Sequence, residues 1–123
     1  MKFAEADDTG GNLVEGYRPG AIQIAGRTYR EGLIVTARHI SPGWGPTAAT
    51  NLAAEHVEAL VAFRPQVIVL GTGRVQVFPH PTVYAAAYAQ GIGIEIMDTG
   101  AACRTFNILV GEGRDVVAGL LML

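Results

Sequence analysis

The residues with chemical potential gather between positions 66 and 114 of this 123-residue chain. Cys103 and Arg104 stand within one turn of a helix expected to start near Thr99, where the helix dipole and the guanidinium could together lower a thiol pKa and make a nucleophile. No histidine is placed to serve as its base. Position 103 also lies on the flank of an apolar face near Phe106 and Val110, the setting of a buried, inert thiol. Glu95, Asp98 and Glu112 are the nearest acids, and two carboxylates at a suitable separation perform general acid/base chemistry. Asp98 is more simply a helix cap and Glu112 a surface residue or ion-pair partner of Arg114. No complete catalytic signature is present.

Gly71-Thr72-Gly73 follows an apolar run, where a dinucleotide-binding turn would stand. Gln76 occupies the third glycine position, Phe78-Pro79-His80-Pro81 intervenes before the next helix, and no Gly-Lys-Ser/Thr ending exists. The motif therefore reads as a tight turn or a point of close packing. His39, His56 and His80 are far apart and share no ligand spacing with Cys103, so neither a metal nor another cofactor is expected.

These residues need elements to position them. Val67-Ile68-Val69-Leu70 is a continuous apolar run, as expected of a strand covered on both faces. Pro81 suits the first turn of a helix reaching Gln90, and Ile92-Gly93-Ile94-Glu95-Ile96-Met97 alternates as the next strand. Strand, helix and strand within about thirty residues make a βαβ unit over 66–97 with parallel strands and a right-handed crossover. Asp98 or Thr99 caps a third helix with Ala102, Phe106, Leu109 and Val110 on its apolar face. Residues 116–123 are apolar throughout and suggest a strand inserted in the sheet.

Upstream, residues 1–12 are polar and acidic and read as a flexible arm preceding a single domain over 13–123. Short apolar runs from Leu13 to Thr36, broken at Arg18-Pro19-Gly20 and Ala25-Gly26-Arg27, indicate a small antiparallel β layer, followed by a buried strand at Leu33-Ile34-Val35. Trp44 stands on a Gly/Pro-framed loop, as a lid packed on the core or as an exposed docking residue. A helix is expected from about Thr50 to Phe63, ended by Pro65, with His56 solvated on its polar side. The fold class is α/β.

If the strands ending at Leu70 and Met97 are parallel, their carboxyl ends share one sheet edge, where ligands of open α/β sheets gather. Gly71, Thr72, Gly73, Asp98 and Thr99 would line that crevice. Arg104, the Thr99 and Thr105 hydroxyls and helix-terminal N–H groups would offer donors to an anion. Asp98 brings opposing charge to the same place and is a ready partner for Arg104.

Composition narrows the classes. With 50% hydrophobic and 16% charged residues the chain is globular, and its net charge of -2 carries no basic stripe for nucleic acid. There is no apolar run long enough for a membrane span and no secretory signal at the start, so a soluble cytoplasmic protein is expected. The single Cys103 fits a reducing compartment. The apolar last segment favours self-association into a homo-oligomer.

The blocks Gly71-Thr72-Gly73, Phe78 to Pro81, Gly91 to Thr99, Ala102 to Leu109 and Glu112-Gly113-Arg114 together resemble a small uncharacterised-domain family. That family includes the mitochondrial NADH-ubiquinone oxidoreductase (complex I) assembly factor three and the adipogenesis-associated domain protein. The resemblance runs from about Gly16 onward. It implies a three-layer α/β domain with a central mixed sheet, an additional N-terminal β layer and a last strand antiparallel to the others. It implies no catalytic residues, and it offers assembly of a respiratory complex as a biological setting. Gly100 stands where alanine is expected, which would loosen the first turn of the third helix.

Two functions follow. One is a non-enzymatic interaction module whose protein partner belongs to membrane-complex assembly, presenting Trp44 and Tyr17 on its surface. The other is a small-molecule or anion-binding protein or enzyme using the crevice at Gly71–Gly73, Asp98, Thr99, Arg104 and Thr105.

Overall fold

The computed structural model describes residues 11–123, so most of the expected N-terminal arm lies outside the described residues. Asn12, assigned to that arm, is tied down: its N–H donates to Ala37 O at 2.9 Å and its side-chain amide to Thr36 O at 3.0 Å.

Three short strands, β1 (Val14–Arg18), β2 (Ala21–Ile24) and β3 (Arg27–Tyr29), form the antiparallel layer expected from the turn residues. Ala25 and Gly26 both take positive φ, 51° and 78°, the geometry of a primed hairpin turn whose twist matches its strands. β4 (Leu33–Thr36), β5 (Ile40–Pro42), β6 (Val67–Gly71), β7 (Gly93–Met97) and β8 (Val116–Leu120) form the main sheet in the order β5-β4-β8-β6-β7. β5 lacks a sequence signal of its own and is defined by its pairing with β4.

β6 and β7 are parallel, as the βαβ pattern required. The last strand departs from expectation. β8 is antiparallel to β4 alone and parallel to β6, and it occupies the middle of the sheet. Its side chains alternate between two cores. Val116, Ala118 and Leu120 enter one with Val67, Val69, Phe106 and the β1–β3 layer. Val117, and Leu121 just past the strand, enter the other with Ile68, Leu70, Leu60 and Trp44. Burial on both faces is why β6 and β8 read as unbroken apolar runs.

The helices divide between the faces. α1 (Ala54–Val61) and α2 (Ala85–Ala89) cover one face, each preceded by a 3₁₀ turn, at Ala49–Asn51 and Pro81–Tyr84. The expected 50–63 helix is thus shorter at both ends. His56 is not a solvated bystander: its Nδ1 accepts the Ala53 N–H at 2.9 Å, reaching back from the third helical position to satisfy a donor at the helix start. α3 (Thr99–Gly111) packs on the other face beside β1. Asp98 caps it, accepting from Ala101 N–H at 2.9 Å.

Candidate functional site

The carboxyl ends of β6 and β7 meet the start of α3, and Gly71 allows the approach. A Cβ at position 71 would lie 2.8 Å from Thr99 Oγ1 and 3.1 Å from the Ala102 Cβ, closer than packed atoms tolerate. The turn is there for close packing. Gly73 follows with φ 98°, a conformation that suits glycine.

The polar groups at this edge are committed to one another. Thr99 is fully buried. Its hydroxyl accepts from Gly73 N–H at 2.8 Å and donates to Leu121 O at 2.6 Å, while Thr99 N–H donates to Gly73 O at 2.8 Å. Leu121 N–H closes the circuit on Gly71 O at 3.0 Å. Residues 121–123 therefore lie where an open α/β sheet would receive a ligand, and Leu123 O accepts the Gly20 N–H of the β1–β2 turn at 3.0 Å. The sequence signal for this plug was the apolar run continuing past β8.

Thr72 is 4% exposed and turns to a different task. Its hydroxyl bonds Val75 O at 2.7 Å and Met97 O at 3.2 Å and accepts from Val77 N–H at 3.0 Å. It shapes the loop after β6. Thr105 donates to Met97 Sδ at 3.3 Å. Gly71, Gly73 and Thr99 thus come together as expected, whereas Thr72 and Thr105 serve the β7 side.

Arg104 is exposed and donates to the Tyr17 hydroxyl. A residue assigned to a ligand crevice and one assigned to a docking surface, 87 positions apart, are bonded neighbours. Gly100 makes room for this ring: a Cβ there would lie 3.0 Å from Tyr17 Cε1. The glycine at 100 seats Tyr17 and leaves the capped helix start intact.

Trp44 is 7% exposed, with its indole N–H donating to His56 O at 3.0 Å. Of its two readings, the packed lid fits this placement, and the burial leaves little of the indole for a partner to touch. The buried Cys103 thiol is pushed up to about 12, chiefly by desolvation, which outweighs the opposing charge of Arg104; Asp98 adds to the rise. A protonated thiol in a packed core is no nucleophile.

Two surface features carry no signature in sequence. Val75 and Phe78, on the loop that Thr72 shapes, are 65% and 68% exposed. Their exposure depends on that loop's path. A cleft of about 620 Å³ opens between α1 and α2 near the amino ends of β6 and β7, lined by Glu58, Val61, Arg64, Pro65, Gln90 and Ile92. It sits opposite the edge where α/β ligands gather. Among the described residues no helix is long and apolar enough to cross a membrane.

A family described as a protein of unknown function, DUF498/DUF598, matches residues 14–121. An uncharacterized protein of Rhodobacter capsulatus is 33% identical over 110 residues, covering 88% of this chain and 82% of that protein. The Danio rerio NADH dehydrogenase (ubiquinone) 1 alpha subcomplex assembly factor 3 is 29% identical over 123 residues, covering 98% of this chain and 70% of the relative. A crystal structure from Bordetella parapertussis superposes with a TM-score of 0.88 at 31% identity, covering 95% of this chain and all of that one (100%).

Proposed function

This chain belongs to the DUF498/DUF598 family of proteins of unknown function, and from that premise we propose that it is a non-enzymatic interaction module assisting assembly of a membrane-bound complex. The observation that carries the reading is a contrast between two groups of side chains. The hydroxyls at the sheet edge are spent on internal bonds, while Val75 and Phe78 stand exposed on a braced loop. Apolar groups held in water by an ordered loop are suited to burial against a partner. The Danio rerio relative, an assembly factor of an NADH dehydrogenase (ubiquinone) subcomplex, suggests the kind of complex.

In this proposal the protein works from the cytoplasm as a peripheral partner. The docking role passes from Trp44, which is buried, to Val75 and Phe78, with Tyr17 beside Arg104 as a secondary contact. The competing ligand-binding reading would require Thr99 to exchange its bonds to Gly73 and Leu121, and Arg104 to leave Tyr17, so the geometry favours it less.

A crosslinked pull-down at endogenous expression level, comparing the native chain with a Val75→Ser/Phe78→Ser variant, tests the proposal. Subunits of a membrane-bound complex should be recovered with the native chain and strongly depleted with the variant. Repeated recovery of the chain alone would overturn it. An anion-dependent thermal shift abolished by Arg104→Ala in a folded variant would favour the competing reading.

A further inference from the structure

We propose that the outer edge of β7 is a strand-addition site, taking an extended segment of a protein partner with a central basic residue as a sixth strand of the main sheet. The proposal rests on the interaction-module reading and gives it a binding geometry. Among the described residues β7 ends the sheet at one side. Its Gly93 N–H is spent toward β6 on Gln66 O at 3.3 Å, and its Met97 O accepts Thr72 N–H at 2.9 Å. Main-chain groups alternate in direction along a strand, so those of Ile94 and Ile96 face away from β6. On that side, among the described residues, Gln76 Nε2 donates to Ile96 O at 2.9 Å. A side-chain amide thus fills one position that the N–H of a sixth strand would take.

The two edges of the sheet are guarded differently. β5 is three residues long and ends in Pro42, a short strand with a residue that cannot donate. β7 is five residues long and has neither proline nor lysine. Its one charge is Glu95, exposed at the centre of the strand.

Glu95 decides the occupant. Opposite charges facing each other across neighbouring strands attract, and like charges repel. A second copy pairing antiparallel about position 95 would set two glutamates against each other, whereas a partner strand with lysine or arginine there gains a cross-strand pair. Main-chain bonds would supply affinity and alternate side chains specificity. Gln76 also ties the loop bearing Val75 and Phe78 to this edge, and the Thr72 hydroxyl holds that loop through Val75 O and Val77 N–H. Apolar side chains flanking the basic residue would find those two residues at the carboxyl end of β7.

The test is an amide NMR titration of the full chain with capped nine-residue peptides of alternating threonine and valine, carrying lysine or glutamate at the centre. The expected result is saturable shifts at the Ile94 and Ile96 amides. The lysine peptide should bind about threefold tighter than the glutamate peptide at low salt, the scale of one cross-strand charge pair. Glu95→Lys, an exposed change checked for folding by circular dichroism, should reverse that order. Absence of saturable change at those amides, or an order unchanged in the variant, would overturn the proposal. So would concentration-dependent shifts there without peptide, which would identify a second copy as the occupant. Shifts confined to the Val75–Phe78 loop would overturn strand addition and leave the interaction-module reading standing.

Discussion

Asn107 holds Val14 with both ends of its side-chain amide: Oδ1 accepts the Val14 N–H and Nδ2 donates to the Val14 O, each at 2.8 Å. A side chain on α3 thereby imitates the neighbouring strand that β1 lacks on that side among the described residues, and the N-terminal β layer is fastened to the helix. Asn107→Ala should cost about 2 kcal/mol, because two main-chain groups in a partly buried seam lose their partners. Urea unfolding would read this as a lower midpoint at unchanged slope.

Thr99 joins three segments through one hydroxyl. Thr99→Val preserves shape and removes the bonds to Gly73 N–H and Leu121 O, leaving two groups without partners in a buried site. A loss of about 2–4 kcal/mol is expected. Hydrogen exchange at the Gly73 amide should accelerate more than at the centre of β6.

Trp44 lies across β8 where Gly119 leaves space. A Cβ at 119 would stand 2.7 Å from Trp44 Cη2 and 2.9 Å from Leu60 Cδ1, so Gly119→Ala should destabilise the fold by about 1–3 kcal/mol through overpacking. Indole fluorescence should shift to the red as the ring is displaced. In the Trp44→Phe background the same substitution should cost less, and equal costs in the two backgrounds would refute the contact.

Cys103 gives a pH dependence of known sign. Burial raises its thiol from an ordinary value of 9.0 to about 12 in the fold. Between those values the unfolded chain loses this proton while the folded chain keeps it, so stability falls as pH rises through the window. Below the unfolded value Cys103 contributes no slope. Cys103→Ala should remove its share of the alkaline decline in denaturant midpoints, and a thiol reagent at pH 8 should modify the native protein only on unfolding.

Much of the architecture can be read from patterning because burial writes itself into side-chain order. The unbroken runs of β6 and β8 reflect two covered faces, and the alternation of Ile94-Glu95-Ile96 reflects a strand with one side open. Asp98 announced α3 through its capping chemistry. What escaped depends on contacts distant in sequence. β5 exists through its pairing with β4, and the direction of β8 is set by neighbours rather than by its own residues. The site shows the same division. A parallel β6–β7 pair was enough to bring Gly71 near Thr99, but not to reveal that Leu121 would take up the Thr99 hydroxyl. His56 looked polar and exposed because its bond to Ala53 is a detail of one helix start.

The place of β8 has a consequence for how the protein is made. β4 and β6 each pair with β8 and not with one another, so a nascent chain that has not yet supplied residues 116–120 holds two strands whose facing edges are bare. Unsatisfied edges of this kind invite pairing with other chains. Closing the sheet joins Leu33 to Leu120, a pairing of high sequence separation, the kind that forms slowly. Synthesis therefore passes through an interval when the chain is most open to chaperones and to aggregation, and the arrival of β8 ends it.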